Sequence, residues 1–181
     1  MYHICCIYEK SQQEDYEFKL DDQGLYILLL TAIFMNFNTD DFNDDYSIKL
    51  YSIDTMERII NQMLEDDIKK SIIDIVKNNI HACIYPYTID DEYIDLYQRI
   101  MRECVFLIFV SDDLQKLINY KKVQGIKSWV DFLSHHLSFI LKESKNVKLD
   151  YSKQYVKDNI ENCLKNINDF YKIIKGSEEK E

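Results

Sequence analysis

The chain has 181 residues, of which 46% are hydrophobic and 13% aromatic, with three Gly, one Pro and a formal net charge of −10. This apolar content excludes a disordered chain, and the scarcity of Gly and Pro excludes a turn-rich sandwich or barrel. The acidic surface repels phosphate backbones, so direct nucleic-acid binding is not expected. We expect a mainly α, single-domain multi-helix bundle over residues 1–176, followed by a frayed tail at 177–181.

The N-terminal third contains the stretches that favour β-structure. Tyr2–Tyr8 is rich in β-branched and aromatic residues, and residues 16–20 alternate apolar and polar side chains. Together they predict a small N-terminal β-hairpin, and residues 47–52 could add a strand beside it.

Helical periodicity, capping residues and breakers predict about seven helices in the rest of the chain. In chain order they cover residues 23–37, 54–64, 68–84, 91–110, 111–122, 126–142 and 152–174. Asp21 or Asp22 caps the first of them, and Gly176 stops the last.

The segment 91–110 is expected to be the central helix, because its apolar residues surround the helix towards its end. The carboxylates of Asp90, Asp91 and Glu92 suit a positive helix N-terminus. A buried strand over residues 104–110 is the alternative, since periodicity cannot settle a short apolar run.

Two features predict a cytoplasmic protein with reduced thiols. No signal sequence is visible, and the apolar stretch 25–37, about 13 residues long, is too short to span a bilayer. The five cysteines, an odd number, show no CxxC spacing, which is typical of reduced thiols rather than a disulfide framework.

The sequence offers little support for catalysis or metal binding. Asp131 and His135 share a helix face, but two ligands do not complete a metal site. Cys83 and His81 are two residues apart and point in different directions on a helix, so they form no local dyad. We therefore expect no enzymatic activity, no metal and no cofactor.

Phosphate binding is not expected either. The three glycines stand alone rather than in a phosphate-binding loop. Arg99 and Arg102 lie on the central helix, where pairing with Asp95 or Glu103 is the expected role.

Carboxylate is the remaining chemical signal, and it is unevenly distributed. Residues 1–113 carry 23 acidic and 9 basic side chains, whereas residues 114–181 carry 9 acidic and 13 basic ones. Two acidic clusters in the first part are interleaved with aromatic rings, which are favoured anchors in protein interfaces. The predicted partner-binding residues are Asp40, Asp41, Phe42, Asp44, Asp45, Tyr46, Tyr87, Asp90, Asp91, Glu92 and Tyr93.

These residues predict a non-enzymatic, acidic protein-binding inhibitor that blocks a basic, nucleic-acid-acting protein partner. An immunity protein, or a phage or viral anti-defence protein, would have this character. The alternative is a helical adaptor or chaperone that binds an amphipathic helix in an apolar groove. A third interpretation is an enzyme that uses Asp131 and His135 or an exposed cysteine. The acidic clusters could also form a solvated surface that binds nothing. No nucleic-acid or membrane partner is expected.

Overall fold

The computed structural model describes residues 1–35, 45–63, 66–84, 87, 89–110 and 128–178. Within these ranges the chain is mainly helical, as predicted, and contains no strand. The seven described helices are α1 (Tyr2–Ser11), α2 (Asp22–Phe34), α3 (Asp45–Met63), α4 (Asp66–Ala82), α5 (Leu96–Phe109), α6 (Trp129–Glu143) and α7 (Asp150–Glu178). None of the helices in this part of the chain is both long and apolar enough to cross a membrane.

The prediction of an N-terminal hairpin is wrong, because Tyr2–Ser11 is helical and residues 16–20 form no strand. The buried residues of α1 are His3, Ile4, Ile7 and Ser11, which lie on one face of a helix. Burial of this face outweighs the strand preference of its β-branched residues, a preference that depends on context.

The possible strand at residues 47–52 is also wrong, since these residues belong to α3. Farther along α3, buried positions fall at Ser52, Ile53, Met56 and Ile60. This spacing places them on one helix face, which packs against α4.

The chain packs as two compact units, Met1–Cys104 and Val105–Glu181. In the first unit, α2 packs against α1, α3 and α4. Fully buried side chains of this unit include Ile4, Ile7, Leu28, Met56, Ile80, Ile100 and Met101. The predicted single domain over residues 1–176 stays a prediction.

Helix α2 begins as predicted, with Asp21 as its cap: the Asp21 carboxylate accepts a hydrogen bond from the Gly24 amide at 2.7 Å. Gly24 is buried where two side chains approach its backbone. A Cβ atom at Gly24 would lie 2.7 Å from Leu20 Cδ1 and 2.9 Å from Tyr97 Oη. Only glycine lets α2 accept these two neighbours without displacing them.

The central segment is helical up to Phe109, so the helix prediction is confirmed and the strand alternative is wrong. The helix starts later than predicted, at Leu96 rather than at residue 91. The residues before it form turns and irregular backbone.

In the second unit, α6 packs against α7. Their shared core consists of Phe106, Leu107, Val110, Phe132, Leu133, Ile140, Val156, Cys163 and Ile167. Ser128 caps α6 by accepting a hydrogen bond from the Asp131 amide at 3.2 Å, which explains why this helix begins at Trp129.

Three other predictions concern the C-terminal part. Helix α7 runs to Glu178, beyond the predicted stop at Gly176 and into the predicted tail at 177–181. Residues 179–181 of that tail, and the predicted helix over 111–122, lie outside the described residues.

Candidate functional site

The structure describes seven of the eleven predicted partner-binding residues, and these seven lie in two different regions. Asp40, Asp41, Phe42 and Asp44 lie outside the described residues. Asp45 and Tyr46 begin α3, where the backbone but not the side chains is described. The other five belong to the stretch between α4 and α5. We call Tyr87 together with residues 89–95 the acidic segment.

Arg102, on the second turn of α5, holds the acidic segment through its guanidinium. Its Nη1 donates to the Asp91 carboxylate at 2.6 Å, and its Nη2 donates to the Ile89 carbonyl oxygen at 3.0 Å. Its Nε donates to the carbonyl oxygen of Ala82, at the end of α4, at 2.9 Å. One side chain therefore joins the end of α4, the acidic segment and α5.

The Tyr87 ring adds a fourth contact to the same group. The central carbon of the Arg102 guanidinium lies 4.1 Å from the centroid of the Tyr87 ring, within the range of a cation–π interaction. Arg102 is only 5% exposed. A buried guanidinium is tolerated when its donors and its charge are matched by partners, and here three acceptors and a ring provide them.

Arg99, one turn earlier on α5, contacts the backbone of the same segment. Its Nη2 donates to the carbonyl oxygen of Asp91 at 2.7 Å. The carboxylate and the carbonyl of Asp91 thus contact different arginines. The expected pairing of these arginines with Asp95 or Glu103 stays a prediction.

The end of the acidic segment is fixed by Asp95 and Gln98. The Asp95 carboxylate accepts a hydrogen bond from the Gln98 amide at 2.9 Å, and the Gln98 side chain accepts one from the Asp95 amide at 3.1 Å. This reciprocal pair satisfies two amides at the start of α5, as a capping box does. A turn precedes it, in which the Tyr93 amide donates to the Asp90 carbonyl oxygen at 3.0 Å.

The side chains of the acidic segment fall into two groups. Tyr87 and Asp91 are half-buried against Arg102, so they support the segment. Asp90 and Glu92 are exposed, and Tyr93 is 78% exposed. The exposed group thus consists of the Tyr93 ring and the carboxylates of Asp90 and Glu92, which are close to it in sequence. The backbone that carries them is held by Arg102 and Arg99.

The prediction from sequence did not assign Arg102 to this site. Its position on a mainly apolar helix was the available signal, because a cation at such a position needs an internal partner. Its partners lie 11 to 20 residues earlier in the chain, a separation that helical spacing does not reveal.

The described residues contain no group of three or more His, Cys, Asp or Glu side chains that could hold a metal ion. His135, the candidate ligand paired with Asp131, is exposed and donates its Nδ1 hydrogen to the Asp131 carbonyl oxygen at 2.6 Å. The contact recorded between these residues is thus to the backbone of Asp131, not to its carboxylate.

The cysteines have very different surroundings. Cys83, Cys104 and Cys163 are buried, and burial raises the pKa of the Cys104 thiol far above its usual value. Cys163 donates to the Phe109 carbonyl oxygen at 3.4 Å. Cys5 is exposed and Cys6 is partly buried. A thiol whose pKa is raised is a poor nucleophile, so Cys104 is unsuited to catalysis.

His136 lies inside the second unit among aromatic rings. It stacks on Phe132 with a centroid distance of 5.6 Å, and the edge-to-face contact with Phe109 measures 5.5 Å. Burial lowers the pKa of His136 to about 4, so the ring is neutral at pH 7. This environment suits a residue that packs in the core.

The chain matches no family model, and comparisons with curated proteins and with solved structures likewise find no match.

Proposed function

We propose that this chain is a non-enzymatic, acidic protein-binding inhibitor, located in the cytoplasm, that blocks a basic, nucleic-acid-acting protein. The acidic segment is the docking site, with Tyr93 as its anchor and Asp90 and Glu92 as its charges. The observation that carries the proposal is the 78% exposure of Tyr93 on a segment fixed by Arg102.

Exposure of an aromatic ring supports binding because rings bury a large area at a low cost in side-chain entropy. The carboxylates of Asp90 and Glu92 would favour a partner surface rich in Lys and Arg and would raise the association rate. A basic surface of that kind is typical of proteins that act on nucleic acids.

The fixed backbone supports the proposal through preorganisation. Arg102 and Arg99 bind the inner side of the segment, and Asp95 and Gln98 fix its end. Binding to a partner would then order few additional backbone residues, so less conformational entropy would be lost. Immunity proteins and anti-defence proteins of phages or viruses act as inhibitors of this general kind.

The test is capture of partners from the native host lysate on immobilised protein, at low and high salt, followed by identification by mass spectrometry. Wild-type protein should retain a stoichiometric basic partner that high salt releases. The variants Glu92→Lys and Tyr93→Ala should lose it. Glu161→Lys, which makes the same charge change at an exposed position of α7, is the matched control and should retain the partner.

Retention of the same partner by Glu92→Lys and Tyr93→Ala would contradict the proposed site. A captured partner that is acidic, or that resists high salt, would contradict the proposed electrostatic mechanism. Inhibition is then measured directly, as loss of the partner's nucleic-acid-processing activity on titration with wild-type protein.

A further inference from the structure

Helix α2 is apolar on two opposite sides, but only one of them is buried. The buried side carries Gly24, Ile27, Leu28, Thr31 and Phe34 and faces the neighbouring helices of the first unit. A helix that is apolar all round is normally covered all round.

The opposite side presents a row of apolar side chains to solvent. Tyr26 is 47% exposed and Ile33 is 49% exposed, and Leu29 and Leu30 between them are partly exposed. At 3.6 residues per turn these four positions share one face. We call Tyr26, Leu29, Leu30 and Ile33 the α2 face.

The N-terminal stretch that contains the α2 face is acidic. Asp22 is exposed one turn before Tyr26, on the same side of the helix, where its carboxylate accepts a hydrogen bond from the Tyr8 hydroxyl. Residues 1–35 carry six acidic side chains, all exposed, and two lysines. This charge disfavours anionic lipid headgroups and phosphate backbones, and it favours a partner that carries Lys or Arg.

We infer that the α2 face docks an amphipathic helix of a partner protein, apolar along one side and basic along its edges. The positions 26, 30 and 33 follow the i, i+4, i+7 spacing by which one helix contacts another. The row from Tyr26 to Ile33 spans about 11 Å at 1.5 Å per residue, which matches about two turns of a docked helix. This inference goes beyond the proposed inhibitor function, because it requires no contact from the acidic segment.

The direct probe is a fluorescently labelled amphipathic helical peptide made of leucine and lysine only, with binding followed by fluorescence anisotropy. A peptide with glutamate in place of every lysine is the charge control. Wild-type protein should bind the leucine–lysine peptide and should not bind the leucine–glutamate peptide. Binding of both peptides to the same extent, or of neither, would overturn the inference.

Matched variants test the location. Ile33→Gln and Tyr26→Gln should each weaken binding by about tenfold, as loss of an interface anchor does. Leu141→Gln is the control, because Leu141 is an exposed apolar residue of α6 with 48% exposure, close to that of Ile33. It should leave the affinity unchanged. Equal loss in Ile33→Gln and Leu141→Gln would overturn the inference, since binding would then reflect general stickiness.

Three further measurements complete the test: two examine other occupants of the α2 face, and one examines whether the acidic segment takes part in peptide binding. A dimer seen by sedimentation velocity in wild type and lost in Ile33→Gln would overturn the inference by assigning the face to a second copy of the chain. Binding to phosphatidylserine vesicles that Ile33→Gln abolishes would also overturn it. The variant Tyr93→Ala should keep full affinity for the peptide. The peptide experiment therefore tests the α2 face whether or not the acidic segment binds a partner.

Discussion

Asp91 and Arg102 form an ion pair of 2.6 Å across 11 residues of sequence, and the two partners differ in their surroundings. The guanidinium is buried and has other acceptors at Ala82 and Ile89. The carboxylate is partly exposed to water. Loss of one partner is therefore not equivalent to loss of the other.

Arg102→Ala should lower the free energy of unfolding by about 3 kcal/mol, because it removes a buried group and leaves carbonyl oxygens of Ala82 and Ile89 without this donor. Arg102→Lys should recover only a small part, since one ammonium cannot reproduce the planar fork of donors. Asp91→Asn should cost about 1 kcal/mol, because water partly solvates this carboxylate already. Chemical denaturation measures all three values, and equal losses in Arg102→Ala and Asp91→Asn would contradict this account.

His136 should make stability depend on pH in a defined window. Its pKa is about 4 in the folded protein, against about 6.5 in an unfolded chain. Between these values the unfolded state binds more protons than the folded state, so the free energy of unfolding rises with pH. The contribution is fully present above pH 6.5, decreases as the pH falls towards 4, and is on the order of 3 kcal/mol.

The check compares urea denaturation of wild type and His136→Leu at several pH values between 4 and 7. The difference in free energy of unfolding between the two proteins should change with pH in this window. Taking this difference cancels the effects of the carboxylates that both proteins share. His135→Leu is the control, because His135 is exposed, and it should follow the wild-type profile. A pH-independent difference between wild type and His136→Leu would refute the prediction.

Gly24→Ala should destabilise the protein although alanine favours helices. The new methyl group would lie 2.7 Å from Leu20 Cδ1 and 2.9 Å from Tyr97 Oη. Alanine gains about 1 kcal/mol in helix propensity over glycine, but moving Leu20 and Tyr97 aside should cost more than this. The free energy of unfolding should therefore fall by about 1 kcal/mol.

Gly176→Ala is the matched control, since a Cβ atom at Gly176 meets nothing within 4 Å. It should stabilise α7 slightly or leave the melting temperature unchanged. A higher melting temperature for Gly24→Ala than for wild type would show that Leu20 and Tyr97 can move aside without cost.

Thiol labelling should separate the cysteines by burial. Cys5 is exposed and should react rapidly with a thiol reagent in the native protein. Cys104 should react only at the rate of unfolding, because it is buried and its raised pKa leaves almost no thiolate. Mass spectrometry of labelled peptides over time gives both rates, and fast labelling of Cys104 would contradict the described burial.

The mainly helical fold could be predicted because apolar residues recur at helical spacing in α4, α6 and α7. The hairpin prediction failed at Ile4 and Ile7, where local strand preference and helical burial disagreed and burial determined the structure. The start of α5 was missed because Asp90, Asp91 and Glu92 resemble a helix start, whereas the reciprocal bonds of Asp95 and Gln98 define it. Such differences depend on contacts that short windows of sequence do not contain.

For the candidate site, the sequence indicated which residues are acidic or aromatic but not which of them face solvent. Tyr87 and Tyr93 are only six residues apart in the same segment, yet one lies against Arg102 and the other is exposed. The position of Arg102 decides between them, and that position depends on its contacts with residues 11 to 20 positions earlier in the chain.

The reciprocal hydrogen bonds between Asp95 and Gln98 have a consequence for how this protein can evolve. Helix α5 carries its own start signal, and within the described part of the chain Arg102 holds the preceding segment by backbone carbonyls, Asp91 and Tyr87. Asp90, Glu92 and Tyr93 stand outside this set of contacts. Sequence drift of the side chains at these three positions therefore leaves these contacts intact, whereas drift at Asp95, Gln98 or Arg102 removes them.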